Sequence, residues 1–152
     1  MQVGVPGRIA LSALMATSTA FLPAASYGQP TAQKSEDDTK TFLLADLMQR
    51  GEKVYINNCV HCHQGRGQGL PANSPHGARG GVPALAGSKV ANGSKEPHID
   101  TVLNGRPQTA MQPFKHLSNA ELAAVITYTR NSWGNKGGEV QPAEVKTRRK
   151  GK

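Results

Sequence analysis

Two cysteines are all this chain has, and both fall in one run, Cys59-Val60-His61-Cys62-His63. Residues at i and i+3 of a helical turn share a face. The two thiols can therefore reach the two vinyl groups of a single haem, and His63, next in line, brings an imidazole under the ring as the proximal iron ligand. A C-x-x-C-H run fixes rare residues at fixed spacing, so as a haem-attachment signal it is specific. A zinc site is the competing reading, but it needs four ligands, usually as two Cys/His pairs. The sequence has no second C-x-x-C. His61, an x position of the motif, is expected to face solvent.

Residues 1–28 read as an export signal. Arg8 gives a positive n-region, Ile9 to Leu22 is mostly apolar, and Ala24-Ala25-Ser26 offers small residues for cleavage, after Ser26 or Gly28. With Ser12, Thr17, Ser18 and Thr19 inside it, the apolar stretch is short for a membrane span of about 20 residues. An uncleaved anchor is the alternative. No later segment is apolar enough to cross a bilayer, and no cysteine stands at the end of the apolar stretch to take a lipid. The expected location is the periplasm, with the leader removed. The lack of disulfides does not argue for a cytosolic home, because both thiols become thioethers.

Residues 29–45 are polar and charged and read as a linker. A haem domain is expected over 46–134 and a basic polar tail, disordered, over 135–152. Leu43 to Asn57 is a helix candidate whose buried face is Leu47, Val54 and the ring of Tyr55. Gly51 stands one turn before Tyr55, and Tyr55 one turn before Cys59. A mid-helix glycine costs about 1 kcal/mol against alanine, so close approach of a second helix is the expected reason for it. That second helix starts at the capping box Ser118-Asn119-Ala120-Glu121 and runs through Leu122, Val125, Ile126 and Tyr128 to Thr129, with Gly134 as its stop. Val125 and Tyr128 are expected to meet Gly51 and Tyr55. A shorter helix from Glu96 or Pro97 to Leu103 is stopped by Asn104-Gly105. Between Gln64 and Gly93, glycines and prolines predict loops.

The iron has a second face. Of the four methionines, Met1 and Met15 lie in the leader and Met48 precedes the motif on its helix. Met111, in Thr109-Ala110-Met111-Gln112-Pro113-Phe114, is on a loop between helices that can wrap the distal face. A thioether there raises the potential and leaves the iron six-coordinate, which suits electron transfer. His98 and His116 are rival ligands, and an open position is the remaining alternative. His63 Nδ1–H needs a carbonyl partner to fix its ring. Pro83 in Gly81-Val82-Pro83-Ala84-Leu85-Ala86-Gly87 is the candidate, with Leu85 packing on the haem edge; an ordinary turn proline is the other reading. Past the leader the large aromatics, Phe42, Tyr55, Phe114, Tyr128 and Trp133, are few, so haem would supply much of the core and the haem-free chain would be largely unfolded.

Taken together these residues resemble the class I cytochrome c family, over about residues 46–134. More narrowly, Val102-Leu103-Asn104-Gly105-Arg106, Phe114-Lys115-His116-Leu117-Ser118 and the run from Ile126 to Asn135 are similar to the cytochrome domain fused to subunit II of caa3-type haem-copper oxidases. Val140-Gln141-Pro142-Ala143-Glu144-Val145 extends the match. The resemblance implies an all-α fold, several short helices and loops around one covalently bound haem c, with Cys59 and Cys62 as anchors, His63 and Met111 as axial ligands, and Pro83, Leu85, Tyr55 and Tyr128 lining or supporting the pocket. It implies one-electron transfer without catalysis, between respiratory or dehydrogenase partners. The alternatives are a haem subunit of a terminal oxidase or dehydrogenase complex, or an open-site haem enzyme or gas sensor. The chain departs from that oxidase family in having neither a transmembrane hairpin nor a copper-binding cysteine pair, and Ala72 to Arg79, with His76, is extra.

The formal charge of +8 falls by one when Arg8 leaves with the leader. Lys53, Lys89, Lys95, Lys115, Arg66, Arg79, Arg106 and Arg130 are scattered over the domain as surface charges. A positive face near the haem edge would steer the protein, expected as a monomer, toward acidic docking sites on redox partners. Generic solubility is the other reading. Lys146, Arg148, Arg149, Lys150 and Lys152 would give the tail a weak attraction to anionic membrane surface. Nucleic acid is not an expected partner for an exported haem protein.

Overall fold

A computed structural model describes Met1, residues 42–75 and residues 80–151. Among these residues six α-helices follow one another: α1 (Leu44–Asn58), α2 (Val60–His63), α3 (Lys89–Asn92), α4 (Lys95–Asn104), α5 (Asn119–Asn131) and α6 (Pro142–Lys150). Among the described residues the sole β pairing is an isolated antiparallel bridge between Leu70 and Val82. The fold is all-α. The leader after Met1, most of the linker, and His76 with residues 77–79 lie outside the described residues.

Helix α1 buries Leu47, Gly51 and Tyr55, four residues apart, so one stripe of the helix faces inward. Asp46 in its first turn complements the positive end of the helix dipole. The stripe meets α5 at Gly51, where the backbones nearly touch. A Cβ at residue 51 would lie 2.6 Å from Tyr128 Cβ and closer still to the Ala124 carbonyl oxygen. The groups nearest Gly51 at the crossing are therefore the Ala124 backbone carbonyl and, as expected, Tyr128, with Val125 not among them.

Helix α5 begins as its sequence dictates. Ser118 Oγ accepts from Glu121 N at 3.2 Å, and Glu121 Oε2 accepts from Ser118 N at 2.7 Å. It is buried on almost every side, from Ala120 through Leu122, Ala123, Ala124, Val125 and Ile126 to Thr129, with α1, α4 and α6 packed around it. It ends at Asn131 with Ser132 as C-cap, earlier than the expected stop at Gly134, and Trp133 (φ 54°) takes the left-handed turn.

Three stretches differ from expectation. Residues 142–150, read as a disordered tail, form helix α6. Val140 and Val145 are fully buried, and Thr127 Oγ1 both accepts from Val140 N at 2.8 Å and lies 3.2 Å from Val140 O. Pro142 is at the first helical position, Glu144 Oε2 accepts from Gln141 N at 2.7 Å, and Arg148, Arg149 and Lys150 fill the last turn, where cations suit the dipole. At the other end, Phe42, placed in the linker by its sequence, is buried. Its backbone N–H and C=O both pair with the Gln141 side chain at 3.0 Å. Within the expected loop 64–93, Ser88 Oγ accepts from Ala91 N at 2.9 Å and caps the single turn α3.

Gly51→Ala tests the crossing. Helix propensity alone would favour alanine by about 1 kcal/mol, yet the clash is with backbone, which cannot move cheaply, and overpacking costs about 1–3 kcal/mol. We expect a lower denaturant midpoint in the haem-loaded protein; an unchanged or raised midpoint would show that the helices are not in contact here.

Candidate functional site

Cys59 ends α1, donating its N–H to Tyr55 O at 2.8 Å, and starts α2 by accepting from His63 N at 2.9 Å. The joint puts Cys59, Cys62 and His63 on one tight turn. Cys59 is half-buried and Cys62 exposed, and neither is in a disulfide. The Cys59 thiol is pushed up to about 12, first by burial and then by the charge of Cys62. It is thus a neutral thiol at pH 7 unless a metal ion displaces its proton. Among the described residues no group of three or more His, Cys, Asp or Glu is arranged to hold such an ion.

His63 Nδ1 lies 3.1 Å from Pro83 O. A carbonyl only accepts, so Nδ1 carries the proton and Nε2 offers the free lone pair. Burial lowers the His63 pKa, opposed by the Pro83 bond, and so favours the neutral, metal-binding form. Two thiols one turn apart, beside a neutral imidazole oriented through its far nitrogen, are a donor set that fits a haem joined through two sulfurs.

The backbone around Pro83 has little regular structure and is held by specific bonds. Leu85 N and Ala86 N both donate to Gly67 O, at 2.7 and 3.0 Å, and Gly69 N donates to His63 O at 3.0 Å. Gly69 (φ 68°) lies too close to the Val82 carbonyl to carry a side chain. Leu85 is partly buried against the core. Behind the motif, Tyr55 O–H donates to Gln64 O at 2.6 Å, fixing the residue that follows His63. The Tyr55 ring packs 5.4 Å from Tyr128 and 5.1 Å from Trp133, centroid to centroid. Burial, then the charges of Cys59 and Tyr128, raise the Tyr55 phenol, which stays a donor.

Met111 is half-buried on the loop 105–117 between α4 and α5. Its carbonyl accepts from Arg106 N at 3.1 Å and its N–H donates to Thr109 Oγ1 at 3.2 Å. Of the rival histidines, His116 is exposed with its ring 5.8 Å from Phe114. His98 is buried on α4. Thr129 Oγ1 donates to Ile126 O at 3.0 Å, so it accepts from His98 Nε2 at 3.4 Å. His98 Nδ1 is then left as the one buried side-chain nitrogen or oxygen without a partner among the described residues.

Sequence reasoning missed three supporting residues. Trp133 covers Gly67, where a Cβ would lie 2.5 Å from its ring. Asn135, buried, donates to Leu85 O at 2.9 Å and Thr129 O at 2.7 Å and accepts from Gly87 N at 2.9 Å, stapling the Pro83 loop to α5. Arg130, counted in the sequence among surface charges, is buried, with its guanidinium donating to carbonyls of Gly93 (2.8 Å), Ser94 (3.3 Å), Gly137 and Gly138 (3.2 Å). The signal for Asn135 and Trp133 was their place beside a left-handed turn, which a helical pattern does not weigh.

The sequence model described as Cytochrome c matches residues 48–133. The chain is 29% identical over 131 residues to the cytochrome c subunit of a quinone-dependent alcohol dehydrogenase from Gluconobacter oxydans, covering 82% of this chain and 27% of that protein. It is 30% identical over 92 residues to the CcoP subunit of a cbb3-type cytochrome c oxidase from Azospirillum sp., covering 60% and 31%. With cytochrome c-552 of Thermus thermophilus it shares 30% over 99 residues, covering 56% and 69%. The chain thus spans under a third of the length of the first two. A cytochrome c domain implies haem c, and Cys59 and Cys62 fit its attachment motif.

His98 gives the site a pH signature. Burial, then the charges of Arg130 and His63, hold its pKa at about 4 against 6.5 in an unfolded chain. Below about pH 6.5 the unfolded chain therefore takes up a proton that the folded one refuses, and stability falls as pH drops toward 4. In urea titrations of the haem-loaded protein, His98→Leu should reduce this acid loss; an identical pH dependence in the two proteins would contradict the assignment.

Proposed function

The chain belongs to the cytochrome c family, and on that footing we propose that it is a mono-haem c-type cytochrome carrying single electrons in the periplasm between respiratory or dehydrogenase partners. Haem c, when bound, supplies a reversible Fe(III)/Fe(II) couple. The residues of the chain hold and tune it. Cys59 and Cys62 would anchor it through thioethers, and His63 Nε2 and the Met111 thioether would serve as its iron donors. Tyr55 and Tyr128 brace the turn from behind, and Pro83 and Leu85 line the proximal side.

The observation that carries this reading is the hydrogen bond from His63 Nδ1 to Pro83 O, made directly beside the two-thiol turn. It leaves the ring one free nitrogen, fixed in orientation and more basic than in an unbonded imidazole. No acid, base or nucleophile has to act on a substrate.

A second reading keeps the chemistry and changes the setting: the protein is the haem subunit of a dehydrogenase or oxidase complex. It is favoured by relatives that are themselves subunits, most of whose length this chain does not span. A free carrier should leave its partners at high salt, because its contacts are electrostatic, whereas a subunit should stay bound.

Redox titration followed by optical spectra tests the reading. We expect a single one-electron wave and a far-red band in the ferric spectrum that disappears, with a fall in potential, in Met111→Ala. A spectrum unchanged by that substitution would overturn Met111 as ligand. Rapid CO binding by the reduced protein at neutral pH would overturn a closed, six-coordinate site in favour of an enzyme or sensor.

A further inference from the structure

Helix α6 lies beyond the residues that match the family, yet it is bonded to the segments on both sides of Met111. Upstream, Arg148 forms a two-pronged ion pair with Asp100 on α4, with Nε at 3.1 Å from Oδ1. Downstream, Arg149 makes three bonds of 2.9 Å: Nη1 to Lys115 O, Nη2 to Leu117 O and Nε to Asn119 Oδ1. One guanidinium thus gathers the end of the Met111 loop and the first residue of α5. The helix that carries it is itself fixed, by buried Val145 and by Lys95 Nζ on Glu144 Oε1 at 3.0 Å.

The loop has few other restraints. Most of residues 106–116 are exposed or half-buried, and Gln108 sits at φ 64°, a conformation that side-chain-bearing residues adopt reluctantly. The described bonds inside the loop are local, from Arg106 N to Met111 O, from Thr109 to Arg106 O, from Met111 N to Thr109 Oγ1 and from Leu117 N to Phe114 O. Phe114 N on Val102 O at 3.1 Å ties it to α4. A neutral thioether holds ferric iron without the help of charge, so its persistence depends on how little the backbone behind it can move.

We propose that Arg149 is a positioning residue for the Met111 ligand: by holding Lys115 O, Leu117 O and Asn119 in one planar fork, α6 fixes the trailing half of the loop and sets how firmly the thioether stays on the iron. This rests on the axial role of Met111 given above. It also assigns a use to two of the five basic residues in the run 146–152, which turn inward rather than toward a membrane or partner.

The experiment is a pH titration of the far-red ferric band in the haem-loaded, full-length protein. It compares wild type, Arg149→Ala, Arg149→Lys, Lys95→Ala and Met111→Ala. Arg149→Ala should lose the band at a pH lower by about one unit, a proton concentration about tenfold higher. Arg149→Lys should recover part of that shift, since lysine keeps the charge but not the fork. Lys95→Ala loosens α6 at its far end and should titrate with wild type. An Arg149→Ala protein that titrates with wild type, or a Lys95→Ala shift as large as that of Arg149→Ala, overturns the assignment, since the first removes the effect and the second makes it a general matter of helix docking. If the band survives Met111→Ala, the ligand itself has been misassigned and this inference falls with it. Loss of the band there alongside an unmoved Arg149→Ala titration sinks only the inference.

Discussion

The crossing of α1 and α5 at Gly51 sets the position of everything that follows it along the first helix. With no side chain at residue 51, the two backbones come close enough to bring Tyr55 against Tyr128 and Trp133. One turn later the same helix delivers Cys59 and the Cys59–His63 turn. Any residue larger than glycine at 51 would push α1 outward and shift the thiols and the imidazole relative to the loop that carries Pro83. Packing of two helices and placement of a cofactor-binding turn are thus one event.

The loop that faces His63 has almost no regular structure, and its precision comes from polar bonds to α5 and the residues just after it. Asn135 satisfies backbone groups of Leu85, Gly87 and Thr129 at once. Gly67 O takes two amides of the Pro83 loop, while the Trp133 ring covers Gly67. Such groups would each be costly if buried and unpaired, so the network specifies one loop path over its neighbours. It also explains why Arg130 lies inside: its fork draws together carbonyls of Gly93, Ser94, Gly137 and Gly138, in segments distant in sequence, and it does not serve as a surface charge.

Much of this was legible in the residues. The C-x-x-C-H run announces the chemistry, Ser118 and Glu121 announce the start of α5, and Gly51 announces a close approach, because in each case a local pattern has one common physical cause. What stayed hidden depended on partners distant in sequence. Beside Tyr128, the group nearest Gly51 is the backbone carbonyl of Ala124 rather than Val125, a contact that apolar periodicity does not predict. Helix α6 has so few apolar residues that its run of lysines and arginines suggested a disordered tail. Pro142, Glu144 and the basic last turn were nonetheless helix signals, and buried Val145 with Arg149 supplies the docking. Likewise the short helix α3 was visible only in Ser88. Asn135 and Arg130 act through backbone carbonyls, which leave no mark in a side-chain pattern.

At the centre of the proposed function stands a covalent union between two sulfurs and a porphyrin, with an imidazole of fixed orientation beside them. Extraction of the purified protein with acidified acetone tests this most directly, because the solvent removes haem held by ligation and packing but not haem held by thioether bonds. The pigment should remain with the polypeptide, and should pass into the solvent when Cys59 and Cys62 are both replaced by alanine. Release of the pigment from the unaltered protein, or a colourless protein isolated from cells competent to attach haem, would contradict the account.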